Sequence, residues 1–199
     1  MSPRNDPARK PLLLLEILEH LRERPLATIT FRSLAEALGV SPFTLVYHFG
    51  TRRELMAEII GSIGARQDRV IQAELDVDPS LDAHLAATRA SWQHFLHPVP
   101  RSLLRLEFEA ALLEVTDKEL DAGGLAIHGR WVEWGAEAVE RLGLPREIAE
   151  LESRVLVDQI YGFQFDLIVS GDEVRATRAF EIALQSYGER LAAHLAATS

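Results

Sequence analysis

Apolar residues recur at spacings of three and four along almost the whole chain, and strand-like alternation is nowhere sustained, so the pattern predicts an all-α protein. A first helix is expected over 8–24, with Leu14, Leu18 and Leu21 on one face and Pro25 as its stop. Thr30 then reads as an N-cap, with Ile29 and Leu34 at the two positions of a hydrophobic staple, and Gly39 reads as a left-handed C-cap. Ser41 is the next N-cap, Pro42 takes the favoured first helical position, and Val40 and Leu45 form a second staple. Thr51 and Glu54 have the spacing of a capping box opening a long fourth helix that reaches about residue 75. Beyond Pro79 the periodicity predicts helices over 81–95, 101–115, 117–142, 146–170 and 173–196, with Gly123 and Gly124 placed to kink or split the third of these.

Residues 29–55, ITFRSLAEALGVSPFTLVYHFGTRREL, therefore read as helix, glycine turn, short second helix and capped third helix. That is the layout of a helix-turn-helix. Leu34, Leu38, Val40, Leu45 and Phe49 fall on inward faces with Leu18 and Leu21, and Ala35 is small enough for two helices to approach closely. What remains outward on the second helix is Ser41, Pro42, Phe43, Thr44, Val46, Tyr47 and His48. These are hydroxyls, rings and a methyl-bearing side chain with no acid among them, a surface compatible with a DNA groove.

Charge at first argues against DNA, since the chain carries a net charge of −9. The deficit is not evenly spread. Residues 1–70 hold ten Lys or Arg against eight Asp or Glu, and residues 71–199 hold eleven against twenty-two. Phosphate attraction is set by charges within about a Debye length, roughly 8 Å at physiological salt, so a distant acidic region is largely screened. The division expected is a DNA-binding domain over 1–55 and a helical effector-binding and dimerisation domain over 56–199, joined through the fourth helix. No cysteine is present, which fits a cytoplasmic protein. Arg4, Arg9 and Lys10 ahead of Leu12–Leu15 imitate a signal peptide, but Glu16 and Glu19 interrupt the apolar run too early, and nothing approaches the roughly 18 apolar residues of a membrane span.

The register of Leu34, Ala35, Leu38, Gly39, Val40, Ser41, Thr44, Leu45, His48, Phe49 and Arg52 resembles the tetracycline-repressor (TetR) family of transcriptional regulators, strongly over the first 60 residues and only in length and helical pattern beyond them. The resemblance implies that Arg32, Pro42, Phe43 and Thr44 lie nearest the bases, and that Tyr47, His48 and Arg52, with the Ser41 cap, hold the backbone. A bidentate guanine contact from Arg32 and packing of Phe43 on a thymine methyl suit those residue types. Position 46 is Val where the family usually has Tyr, which removes one phosphate contact and leaves Tyr47 as the neighbouring phenol.

The C-terminal body carries Trp92, Trp131, Trp134, Phe95, Phe108, Tyr161, Phe163 and Phe165. Rings in a bundle either fill core or line a pocket. The resemblance implies an effector cavity, placed here near Trp92, Phe95, Phe108, Trp131 and Phe163, for an apolar or aromatic molecule. His94 and His97 share a helix face, open to a metal or a polar ligand group, but no third ligand with matching spacing stands out and no metal or cofactor is expected. The last two helices carry Val155, Ile160, Phe163, Leu167 and Val174, Phe180, Leu184, Tyr187, Leu191, stripes wide enough for both core and a partner. The family pairs such helices into a homodimer, and two-fold symmetry suits a palindromic operator on double-stranded DNA. An enzyme is disfavoured, because there is no Gly-x-Ser-x-Gly, phosphate-binding glycine loop or cysteine, and Glu107 and Glu109 at i, i+2 do not face each other. The expectation is a repressor released from its operator by a small effector, and the alternative is a DNA-binding regulator on the same scaffold without a ligand.

Overall fold

The computed structural model describes residues 9–75, 79–117 and 124–198. Its regular elements are helical: α1 (Arg9–Leu21), a single 3-10 turn (Leu26–Thr28), α2 (Phe31–Leu38), α3 (Pro42–Phe49), α4 (Arg52–Leu75), α5 (Leu81–Leu96), α6 (Pro98–Thr116), α7 (Gly124–Arg141), α8 (Arg146–Ser170) and α9 (Glu173–Thr198). No strand occurs among the described residues.

Local chemistry accounts for the boundaries. α1 stops at Leu21, three residues short of the expected end, and a side chain on α6 explains why. The Arg105 guanidinium donates to the Leu21 carbonyl at 2.6 Å and to that of Arg24 at 3.2 Å, taking up acceptors that would otherwise continue or fray the helix. The buried residues of α1 are Leu13, Ile17, Leu18 and Leu21, with Leu14 only half-buried, so the inward face is turned slightly from the one expected. α6 begins at Pro98 rather than 101, because prolines at the first and third helical positions lack only N–H groups that have no intrahelical partner there. The helix expected over 117–142 is seen as α7 from Gly124. Residues 118–123, including Gly123, lie outside the described residues.

Contacts divide the chain into two compact units. One takes residues up to Ala65 together with Arg105–Leu125, and the other takes Arg66–Leu104 with Ala126 onward, so α4 and α6 each contribute residues to both. The unit that holds α1–α3 thus reaches past residue 55. In it α1 packs on α2 and α2 on α3, around a core that includes Ile17, Leu21, Leu34, Leu45, Phe49, Met56 and Ile59.

The second unit is held by α8 against α9 and α5 against α9. Its core contains Ala136, Val139, Leu156, Leu167, Phe180, Leu184, Tyr187 and Leu191, with Trp92 stacked on Phe180 at 4.7 Å between ring centres and 8° between planes. Arg146 clips α7 to α8 through Glu133, Glu140 and Glu150 at 2.6–2.8 Å. The buried Glu152 of α8 accepts from Arg190 of α9 at 2.9 Å. No helix among the described residues is long and apolar enough to cross a membrane.

Candidate DNA interface and ligand cavity

The turn between α2 and α3 is built from its caps. The Thr30 hydroxyl accepts the Ser33 N–H at 3.0 Å, and Ser33, standing where a Glu would complete the usual box, accepts the Thr30 N–H at 3.1 Å. Gly39 has φ +65° and ψ 30°, a left-handed conformation that costs any other residue but Asn or Asp about 1 kcal/mol or more. Its geometry lets the Val40 N–H reach back to the Ala35 carbonyl at 3.0 Å and close the helix. Two residues later the Ser41 hydroxyl accepts the Thr44 N–H at 3.1 Å, and Pro42 starts α3. The capping box at α4 forms as expected, with the Thr51 N–H donating to Glu54 at 2.7 Å and the Glu54 N–H to the Thr51 hydroxyl at 3.2 Å.

Because Leu45 and Phe49 are buried, the rest of α3 is turned outward. Phe43 is 68% exposed and Tyr47 58%, values at which a large ring in an ordinary solvated helix gains nothing from burial. Val46 is exposed beside them. Ser41 and Pro42 are exposed, Thr44 is half-buried with its hydroxyl 2.8 Å from that of Ser41, and His48 is half-buried edge-on to Tyr47 at 5.1 Å. Arg32 is exposed on α2 and Arg52 on the first turn of α4. Arg52 spends one donor internally, its Nε reaching the Ile29 carbonyl at 3.3 Å, which fixes the base of its guanidinium. Its exposed neighbour Arg53 was passed over in the sequence, where only the position matching the motif was weighed. Glu54, the acid closest in sequence, has its carboxyl held below the usual range by the hydrogen bonds from Thr51 and is occupied as a cap.

The second unit contains a cavity of about 90 Å³. Three helix faces line it at helical spacing: His84, Ala87, Thr88, Ser91, Trp92 and Phe95 from α5; Trp131, Trp134, Gly135 and Ala138 from α7; and Ser153, Leu156, Val157, Ile160, Tyr161 and Gln164 from α8. Tyr187 of α9 completes the wall. Of the five rings expected there, Trp92, Phe95 and Trp131 come together, with Phe95 edge-on to Trp131 at 6.3 Å. The other two do not line it. Phe108 belongs to the other unit, four residues past the point where α6 changes allegiance. Phe163 is one residue, about 100°, around α8 from Gln164 and packs on the core instead. His94 and His97 are exposed and line nothing here. The His94 imidazole is pushed below its usual range by partial burial and by His97 beside it.

Polar atoms in the cavity are few and specific. His84 Nε2 lies 3.0 Å from the Tyr187 hydroxyl, and burial pushes the imidazole down to about 4, so it is neutral at pH 7. Burial, and then the charge of Glu152, hold the Tyr187 hydroxyl well above its ordinary range. Trp92 donates its indole N–H to the Thr177 hydroxyl at 3.0 Å, and the Thr88 hydroxyl donates to the His84 carbonyl at 2.9 Å. The Ser91 and Ser153 hydroxyl oxygens and the Gln164 carboxamide oxygen are buried with no hydrogen-bond partner among the described residues. Among the described residues, no Asp, Glu, Lys or Arg lines the cavity. Counting rings in the sequence missed these residues; following the helix face of Trp92 would have reached Thr88 and His84.

No protein-family model and no curated protein matches the sequence. Solved structures do match over almost the full length. A candidate TetR-family transcriptional regulator from Rhodococcus sp. aligns with a TM-score of 0.73 at 17% identity, covering 92% of this chain and 98% of its own. The multidrug binding protein EbrR, solved in complex with imidazole, aligns at 0.67 and 20% identity, covering 93% of each chain. BioQ, solved with its natural double-stranded DNA operator, aligns at 0.51 and 21% identity, covering 93% of this chain and 98% of its own. With α1–α3 forming a helix-turn-helix and α5 and α7–α9 enclosing a cavity, the chain has the fold of the TetR-family transcriptional regulators.

Proposed function

We propose that this chain is a TetR-family transcriptional regulator that binds a palindromic operator as a homodimer, a repressor released by a small, mostly apolar effector. The observation that carries the DNA-binding part is the outward face of α3, where Phe43, Val46 and Tyr47 are exposed beside the Ser41 and Thr44 hydroxyls with no acid on the helix. A recognition helix in the major groove needs such a face, with rings and methyls for thymine and hydroxyls for phosphate. Arg32 and the N-terminal turn of α3 are the base readers in this account. Tyr47, His48 and Arg52 are the backbone contacts.

The dimer reading rests on α8 and α9. The residues expected to serve both core and partner divide cleanly: Phe180, Leu184, Tyr187, Leu191 and Leu167 are buried within the unit. The outward stripe keeps two of the expected residues, Val155 on α8 and Val174 on α9, and adds Leu151, Phe165 and Val169 on α8 and Ile182 on α9, all exposed. On α8 these fall at the alternating four- and three-residue spacing of a helix seam, completed by Asp158 and Gly162. A second copy presenting the same stripe would bury it on itself.

The effector reading is supported by the aromatic cavity and by the imidazole complex of EbrR. One observation favours the ligand-free alternative: 90 Å³ is below the roughly 300–1,000 Å³ of pockets for drug-sized ligands. Reciprocal titration separates the two. A compound that stabilises the chain in a thermal-shift screen of small aromatics is titrated with and without operator. An effector weakens DNA binding by the same factor, commonly 5- to 150-fold, by which DNA weakens its own binding. Equal ligand affinity in both titrations removes the effector and leaves the ligand-free regulator.

A further inference from the structure

Resting on the reading that the cavity holds the effector, we infer that the effector is an uncharged, compact aromatic molecule that donates a hydrogen bond to the carboxamide oxygen of Gln164. Charge is disfavoured first. Among the described residues no ionised side chain lines the cavity, and the histidine that does, His84, is bound to Tyr187 and held neutral, so a charged ligand would leave water without a counter-charge. Ring faces from Trp92, Phe95, Trp131, Trp134 and Tyr161 supply stacking and edge contacts. The volume of about 90 Å³ limits the occupant to a single small ring, given that an apolar cavity of roughly 150 Å³ takes benzene.

The donor follows from Gln164. It is only 3% exposed, and its oxygen has no partner among the described residues. A buried carbonyl left unpaired is destabilising, and unlike a serine hydroxyl, which can turn its own hydrogen to suit either kind of neighbour, it can only accept. Ser153, whose hydroxyl is also unpartnered, shares the face of α8 but lies eleven residues away, about 16 Å along the helix. A compact ligand cannot meet both. With its oxygen inward, as the structure places it, Gln164 is the acceptor that selects.

Calorimetric titration of the full chain with three probes tests this. Pyrrole supplies a ring N–H, furan has the same shape with an oxygen in its place, and acetate is small and charged. Pyrrole should bind at least tenfold more tightly than furan, in keeping with sites that reject analogues lacking a paired donor, and acetate should not bind. Gln164→Leu keeps the volume and should fold, since no protein group bonds to the oxygen it removes, and it should abolish the pyrrole preference. Equal affinities for pyrrole and furan in the unmodified chain overturn the inference, as do a preference that survives in Gln164→Leu, binding of acetate, or no binding of pyrrole at millimolar concentration. Operator release is measured alongside. If both neutral probes bind equally and both release DNA, the effector role stands and the donor rule falls. If pyrrole is preferred through Gln164 but DNA affinity does not change, the donor rule stands and the effector role falls.

Discussion

Two side chains of the proposed DNA interface should behave differently when truncated. Arg32→Ala is expected to relax preference at one base pair, costing about 1–3 kcal/mol on the preferred site and little elsewhere, whereas Tyr47→Phe should weaken all sites alike. Binding measured on operators varied one base pair at a time checks both, and a uniform loss from Arg32→Ala removes it from the base readers. A second residue carries a pH signature. His84 is held neutral with its pKa near 4 in the folded chain, against about 6.5 when unfolded. Between those values the unfolded state binds the proton and the folded state does not, so this contribution is whole above about pH 6.5 and is lost as pH falls toward 4, by roughly 1 kcal/mol per unit. Replacing His84 by Gln should flatten the fall in stability over that window, and an unchanged slope in denaturant melts contradicts it. The caps and the exposed face of α3 were legible in the sequence because each cap, staple and glycine there is local. The polar residues of the cavity were not, because Ser91, Ser153 and Gln164 are ordinary residues until three helices bring their faces together.

Among the elements, α6 shows where reading by periodicity runs out. Its apolar spacing gives a helix and nothing more, yet Arg105 takes the carbonyls at the end of α1, and Glu109 accepts the Leu26 N–H at 2.6 Å while pairing with Arg105. Glu109, weighed in the sequence only as half of a carboxylate pair, fixes a turn 83 residues away in the chain. The same contact explains the early stop of α1, which Pro25 alone does not. Arg105→Met should therefore loosen the α1 terminus and the 3-10 turn by about 2 kcal/mol, the scale of hydrogen bonds to a charged group. Amide exchange checks this, with faster exchange expected at Arg24 and Leu26 and little change in α8 and α9. Uniformly faster exchange would mean a global loss of stability rather than a local clamp.

For the whole molecule, the all-helical architecture and the order of the helices were readable from periodicity and caps, while the allocation of apolar residues on α8 and α9 was not. Phe180, Leu184 and Tyr187 read as equally available to core and partner, and only packing reveals that they are consumed inside while Leu151, Val155, Phe165 and Val169 stay outside. That outward stripe is why two copies are invoked, and two copies are why a symmetric operator is expected. The most direct test of the central claim is selection of binding sites by the full chain from a pool of random DNA duplexes. The account predicts enrichment of a palindrome with half-sites about one helical turn apart, roughly 10 base pairs between centres, and its loss when Phe43 and Tyr47 are both replaced by Ala. A pool that returns no enriched sequence, or one equally enriched by the double variant, contradicts α3 as the element that reads DNA.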